Sequence, residues 1–522
     1  MRLRIRNLMA GVSLLATTLA APMVQAASIA DMAAPRPADV QRLLRAVTVQ
    51  GIMEHQRVFQ RIANRNDGTR ASGTPGYARS AEYVARRLNA AGYDVRVQRF
   101  DFAFFRELAP ATLAQVSPTP TTYQEGTDFR TMDYSGSGSA SGRLVPIDVQ
   151  IPPAAEPSST SGCEPTDFPA PPAAGSIALI QRGTCTFFDK ATNAANAGYA
   201  AAIIFNEGQP GRTDLLLGTL GEPVRIPVLG TTFALGRDLY LATRTGPVVV
   251  SVTTRTESEI RPTRNVIADS PYGRGDRVVL VGAHLDSVLE GPGINDNGSG
   301  SATILEVAEA LHDLGLRTRN RLRFAFWGAE ESGLLGSQYY VDNLPAAERR
   351  KILLNLNFDM VGSPNFVRFV YDGDGSATPD DPDDAGPLGS AAIERLFLNY
   401  FRGRGLATDP TAFDGRSDYG PFIAAGIPAG GLFTGAEGIK TARQARIYGG
   451  QAGIAYDPCY HQACDTLRNL SRQALDQMSD AVAYATLTTG GWTGFAAPSL
   501  VAQEQAAAKR AAWLYRGGKL QR

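Results

Sequence analysis

Residues 278–300 read VVLVGAHLDSVLEGPGINDNGSG, and how this stretch divides decides the fold. Val278-Val279-Leu280-Val281 is a short β-rich apolar run that stops at Gly282, the pattern of a central strand buried on both faces of a parallel sheet. His284 and Asp286 follow at once, where strand periodicity puts them on one side. Open α/β sheets bind ligands beyond the carboxyl ends of their strands, so both residues stand where a ligand would. A Gly/Pro-containing loop then leads to Asn295-Asp296-Asn297-Gly298-Ser299-Gly300. From Ser301 to Leu314, Ile304, Ala308 and Leu311 recur at helical spacing, which puts Asp296 at a loop-to-helix junction. Taken alone, His284 reads as a hydrogen-bonded core or rim histidine and Asp296 as an N-cap. The rest of the chain changes those readings.

Downstream, the same arrangement recurs. Leu322 to Trp327 alternates as a strand until Gly328 and is followed by Ala329-Glu330-Glu331-Ser332-Gly333. Paired glutamates in isolation are a solvated surface, but these follow a buried strand, on the edge that should carry His284. A third strand, Ile352 to Phe358, ends in Asp359. Near the C-terminus, Asp457-Pro458-Cys459-Tyr460-His461-Gln462-Ala463-Cys464-Asp465 sets His461 inside the small loop that a Cys459–Cys464 bridge would close. The chain holds 4 histidines. His55 and His312 fall in helices and take the ordinary structural reading, which leaves His284, His461 and several carboxylates at strand or loop ends. Imidazole nitrogen and carboxylate oxygen are zinc ligands. Three carboxylates against two Zn²⁺ leave one positive charge, a balance that suits a hydrolase.

The start of the chain carries Arg2, Arg4 and Arg6, an apolar stretch from Leu8 to Ala21, and Val24-Gln25-Ala26, the pattern of a secretory signal removed after Ala26. Its apolar part is short for a membrane span, and no later stretch reaches the ~20 apolar residues a spanning helix needs. With 522 residues the chain has room for two or more domains. Its 51 basic and 51 acidic side chains cancel, which argues against nucleic-acid or anionic-membrane partners and for a small molecule or peptide. Four cysteines in an exported chain favour disulfides, paired locally as Cys459–Cys464 and Cys163–Cys185. A cysteine-rich zinc site would need C-x-x-C spacings that are absent.

Residues 27 to 48 read as a loose, partly helical lead-in. Val49 to Ala63 is an amphipathic helix, Tyr77 to Ala91 a second, and Tyr93 to Phe102 a strand, the opening of an α/β fold. From about Gly136 the composition turns to Ser, Gly and Pro, and a domain boundary is expected there. Within this part lie the strands Ile177 to Ile180 and Ala201 to Phe205, a helix from Thr186 to Ala197, and the β-rich Val248 to Thr254. It resembles the protease-associated (PA) domain, through Arg182-Gly183-Thr184-Cys185-Thr186-Phe187 and the helix from Lys190 to Gly198. It holds no cluster of metal-ligand residues and reads as an insertion that shapes substrate access.

The ordered set AHLDS, NDNGSG, AEESG, NFDMVG and PCYHQACDT resembles the M28 family of zinc aminopeptidases, most closely its bacterial secreted leucine-type members. The similarity covers roughly Val49 to Tyr134 and Glu257 to Thr489. It implies a mixed, mostly parallel central sheet flanked by helices, the zinc exopeptidase fold, with an inserted β-rich PA domain. The expected organisation is a signal peptide at 1–26, a first peptidase part at 27–134, the PA insertion at 135–256, a second peptidase part with the metal site at 257–492, and a C-terminal extension at 493–522. The resemblance implies two Zn²⁺ ions, one held by His284 and Asp359, the other by Glu331 and His461, with Asp296 bridging them. It makes Asp286 the residue that orients His284, Glu330 the general base that carries a proton to the leaving amine, and Tyr460 a donor to the oxyanion. Asp414 to Phe422 also matches the secreted members. Arg416 would then lie at the substrate rim and Phe433 would line an apolar pocket; the blander readings are a surface ion pair and a core residue.

The acidic loop Asp372 to Asp384 contains Asp372-Gly373-Asp374-Gly375, the beginning of a calcium pattern, but lacks the glutamate that closes an EF-hand loop and is read mainly as solvated. The expected protein is a monomer, secreted or periplasmic, acting on peptides with a free N-terminus and large apolar first residues. A carboxypeptidase of the same fold would need a cationic pocket that Arg416 alone supplies poorly. A non-catalytic binding ectodomain would not need all five ligand candidates and Glu330.

Overall fold

The computed structural model describes residues 35–169, 173–377 and 385–494. The strand Arg274–His284 sits between Asn320–Trp327 and Ile352–Phe358, both parallel to it. Val279 and Val281 pack against the helices Val49–Asn64, Gly298–Asp313 and Arg472–Gly491, whereas Leu280 packs in a separate cluster with Trp327, Tyr340 and Phe422. A strand covered on both faces has no polar side to alternate with, which is why the run is continuously apolar. Each fully buried Val or Leu of this kind stabilises the fold by roughly 1.5–3 kcal/mol. The strand does not stop at Gly282, as its sequence suggested, but continues to His284, which pairs with Trp327. Gly282 makes room, since a Cβ there would lie 2.8 Å from Trp327 Nε1.

From the far edge inward the sheet runs Asp409–Thr411, Phe369–Tyr371, Ala429–Phe433, Ile352–Phe358, Arg274–His284, Asn320–Trp327 and Val249–Asp269. It is mixed and mostly parallel, with antiparallel pairings where Phe369–Tyr371 meets Ala429–Phe433 and where Val249–Asp269 joins. The strand Asp94–Ser117 then runs antiparallel to Val249–Asp269 along nearly its whole length, from Asp94 opposite Asp269 to Ser117 opposite Val249. This ribbon carries the chain into a second body. There the sheet continues through Gly138–Ile147, Ile177–Gln181, Ala201–Phe205 and Val228–Thr231 to Phe129–Thr131. Leu179 and Ile203 face Leu239 of the helix Phe233–Thr245, while Ile180 and Ile204 face Ala191 and Ala194 of the helix Phe187–Asn196.

The break expected at residue 135 falls inside this second body. Phe129–Thr131 is its edge strand, and Ala111, Leu113 and Phe129 lie in its core. The chain enters gradually along the ribbon, so the Ser/Gly-rich stretch marks the approach to Gly138–Ile147 and not a border. Cys163–Cys185 lies in this body and Cys459–Cys464 in the first, the local pairings expected. The expected signal segment and the extension beyond residue 494 lie outside the described residues, among which no helix is long and apolar enough to cross a membrane.

Candidate active site

The carboxyl ends of the central strands bring the expected ligands together. His284 ends its strand with Nε2 3.2 Å from Asp359 Oδ1 and 3.3 Å from Asp296 Oδ1. Asp359 directly follows the strand Ile352–Phe358. His461 arrives from the loop closed by the Cys459–Cys464 bridge, with Nε2 3.2 Å from Asp296 Oδ2 and 3.1 Å from Glu331 Oε2. The two imidazoles therefore approach opposite oxygens of one buried carboxylate. Asp296 is free for this because the N-cap of the helix Gly298–Asp313 is Asn297, whose Oδ1 accepts the Gly300 N–H at 2.9 Å. Glu330 Oε2 stands 3.9 Å from His284 Nε2.

Six carboxyl groups, of Asp286, Asp296, Glu330, Glu331, Asp359 and Asp418, surround these two imidazoles. Burial pushes Glu330 well above its ordinary range, against the pull of His284 and with Asp418, Asp359 and Glu331 adding repulsion. Burial also lifts Glu331 to about 7, with Asp296 repelling it and His461 holding it back. It lifts Asp418 to about 8. For Asp296 burial is outweighed by hydrogen bonds from His284 and His461, which hold it below the usual carboxylate range. Burial opposes charge on both histidines, yet the carboxylates win: Glu330 and Asp359 hold His284 well above 6.5, and Asp296 and Glu331 hold His461 at about 11. The site thus demands positive charge, which protons on the imidazoles or divalent cations can supply. The imidazole-to-carboxylate spacings fit zinc, because a tetrahedral ion with bonds of ~2.0–2.1 Å has ligand edges of about 3.3–3.4 Å. Glu331 Oε1, buried and without a hydrogen bond, is one more donor in place.

The support around these ligands was only partly foreseen. Asp286 was expected to orient His284, but its Oδ1 lies 3.7 Å from His284 Nδ1, beyond hydrogen-bond length, and accepts the Glu330 N–H at 3.3 Å. Its negative charge is near the ring while its hydrogen bond shapes the Glu330 turn. Ser417 donates to Asp359 Oδ2 at 2.5 Å and accepts from Asn357 at 2.8 Å. Asp465 accepts the N–H groups of Asn295 at 2.8 Å and Asp296 at 3.0 Å, while Asp457 accepts Asn295 Nδ2 at 2.6 Å. The bridge Cys459–Cys464 thus fixes His461 and, one residue on, the backbone that presents Asp296. Arg70 is buried and donates to the carbonyls of Leu285, Pro292 and Gly293, tying down the loop between His284 and Asp296. Asp465 lies in the stretch PCYHQACDT and Ser417 within Asp414 to Phe422; Arg70 has no local signal.

Tyr460 stacks on His461 with ring centroids 3.8 Å apart. Burial, then Asp296 and Glu331, raise its phenol far enough to keep it a hydrogen-bond donor. Arg416 Nη1 pairs with Glu437 at 2.6 Å, the ion pair of the blander reading, and Nη2 reaches Tyr460 Oη at 3.3 Å beside the cavity. Phe433 stacks on Phe369 and also lines that cavity with Met360 and Tyr371. Asp372, Asp374 and Glu394 gather near one another, but they accept the N–H groups of Ser376, Ala377 and Gly373. Hydrogen bonds of the chain itself account for that cluster.

Comparison with known proteins agrees with this geometry. The model of Peptidase family M28 matches residues 265–486 and that of the PA domain residues 140–239. An aminopeptidase of Pseudomonas aeruginosa is 49% identical over 453 residues, 85% of this chain and 81% of its own length. Leucine aminopeptidase 2 of Trichophyton rubrum is 41% identical over 419 residues, 80% and 79% of the two chains. Among solved structures, a zinc aminopeptidase from Bacillus subtilis superimposes with a TM-score of 0.52 at 26% identity, covering 84% of this chain and 94% of that one.

Proposed function

The chain belongs to peptidase family M28 and is a zinc aminopeptidase, and on that footing we propose that it uses two Zn²⁺ ions sharing Asp296 and prefers peptides that begin with a large apolar residue. His284 and Asp359 would hold one ion, Glu331 and His461 the other. The observation that carries this reading is the approach of two imidazoles to opposite oxygens of Asp296. Bound zinc supplies Lewis-acid polarisation of the scissile carbonyl and lowers the pKa of water to about 7. Glu330, lifted by burial, receives the proton of the attacking water and passes it to the leaving amine nitrogen. Tyr460, held protonated, donates a hydrogen bond to the oxygen that gains charge at the tetrahedral stage.

The acid-rich cleft favours a substrate's free α-ammonium and disfavours a terminal carboxylate. A carboxypeptidase would need a cation to spare, and Arg416 is engaged by Glu437. The wall of Phe433, Met360 and Tyr371 suits a large apolar side chain. The two disulfides support a secreted or periplasmic site of action. We take the working unit to be the monomer and assign no calcium. Leucine p-nitroanilide should be hydrolysed and its N-acetyl derivative refused; hydrolysis restricted to N-blocked peptides would overturn the aminopeptidase geometry. Asp296→Ala should lose two zinc equivalents relative to the parent protein and Asp359→Ala one. Equal losses in the two variants would remove the shared carboxylate.

A further inference from the structure

Outside the cleft a third histidine is surrounded by carboxylates. His55 lies on the helix Val49–Asn64 and is 2% exposed, with Glu306 and Glu309, one turn apart on the helix Gly298–Asp313, facing its ring. Its Nε2 stands 3.3 Å from Glu306 Oε2 and 3.7 Å from Glu309 Oε2, yet makes no hydrogen bond to either. A buried ring nitrogen aimed at two carboxylates without an N–H···O bond is costly unless something else lies between them. Its spacing to Glu306 equals that of His284 to Asp296 in the cleft and matches the ligand edge of tetrahedral zinc.

The surroundings are built to the same end. His55 Nδ1 is 2.7 Å from Tyr83 Oη on the helix Pro75–Ala90. With Nδ1–H donated to that oxygen, Nε2 presents its lone pair, the arrangement metal-ligating histidines adopt. Glu306 reaches the ring because residue 51, one turn before His55, is glycine: a Cβ there would overlap the Glu306 carboxylate. Glu309 is held in place by Arg87, whose Nε donates to Oε1 at 2.6 Å and whose Nη2 donates to Oε2. We propose that His55, Glu306 and Glu309 form a separate site for a divalent cation of the zinc class, a structural clip between two helices.

The test is the zinc content of the full-length protein equilibrated with Zn²⁺ against a competing chromogenic chelator. His55→Gln and Glu306→Gln should each bind one equivalent fewer than the parent while hydrolysing leucine p-nitroanilide at the parental rate. Because the difference is read, the result does not depend on how many ions the cleft holds. Equal counts in parent and variants would overturn the site. Should either variant fold poorly, a zinc-edge anomalous map of the parent decides: a peak among the three side chains is expected, and its absence overturns the proposal.

Discussion

The two bodies finish their parallel strands in the same way and put the ends to different use. In the PA body Glu207 follows the strand Ala201–Phe205 and is buried, yet nothing about it asks for a ligand. Its Oε1 accepts the N–H groups of Ser158 and Ser159 at 2.8 and 2.9 Å, and Oε2 pairs with Arg212 at 2.8 Å. In the peptidase body the carboxylates of Asp296, Glu331 and Asp359 pair with no arginine among the described residues and meet two imidazoles, with Glu330 beside them. A buried carboxylate at a strand end is structural where the chain neutralises it and chemical where the chain leaves the charge unmet. Topology alone does not distinguish the two.

Four experiments press on that contrast. The largest effect should come from removing metal: a chelator should abolish leucine p-nitroanilide hydrolysis and added zinc restore it, and turnover surviving in chelator would break the contrast outright. Glu330→Gln should lower kcat by ~10²–10⁴ at unchanged zinc content; unimpaired turnover would take Glu330 out of the proton path. Glu207→Ala should cost roughly 1–3 kcal/mol in denaturant unfolding by leaving the buried Ser159 N–H unpaired, with kcat unchanged. A fall in kcat at full stability would mean that the PA carboxylate also serves the chemistry.

The smallest effect concerns Lys190, whose Nζ donates to the Ser161 carbonyl beside Cys163 and whose pKa burial draws down to about 8. The unfolded chain keeps that amine protonated up to its ordinary 10.5. Between the two values unfolding takes up a proton, so wild type should gain stability relative to Lys190→Met as pH rises through that window. A flat difference between their denaturation midpoints would show that the amine is not desolvated in the fold.

The strands that end at the candidate ligands were legible because buried parallel strands are runs of apolar residues. Ile352–Phe358 and Ala201–Phe205 lie where those runs stand. That His284 and His461 meet came from family resemblance, since periodicity says nothing of how loops far apart in sequence converge. The strand Asp94–Ser117 was read as ending near Phe102. Its outer half, with Arg106, Glu107 and Pro110, has no strand pattern of its own and is held by the ladder to Val249–Asp269. Arg70 and His55 were illegible for a related reason: their partners are carbonyls or carboxylates supplied by distant segments, and no local pattern encodes those.

That ladder has a consequence for how the enzyme could be rebuilt. Phe104 lies opposite Glu259 and Phe105 opposite Ser258, so the chain departs from the catalytic body and returns to it on neighbouring rungs, about 4.8 Å apart. Whatever module is spliced in beyond that rung needs only to bring its two ends back side by side. The inserted unit joins the catalytic body through a two-stranded stem, and its Asp133, Tyr134 and Thr219 come back beside Asp286 and Glu331 to line one cavity.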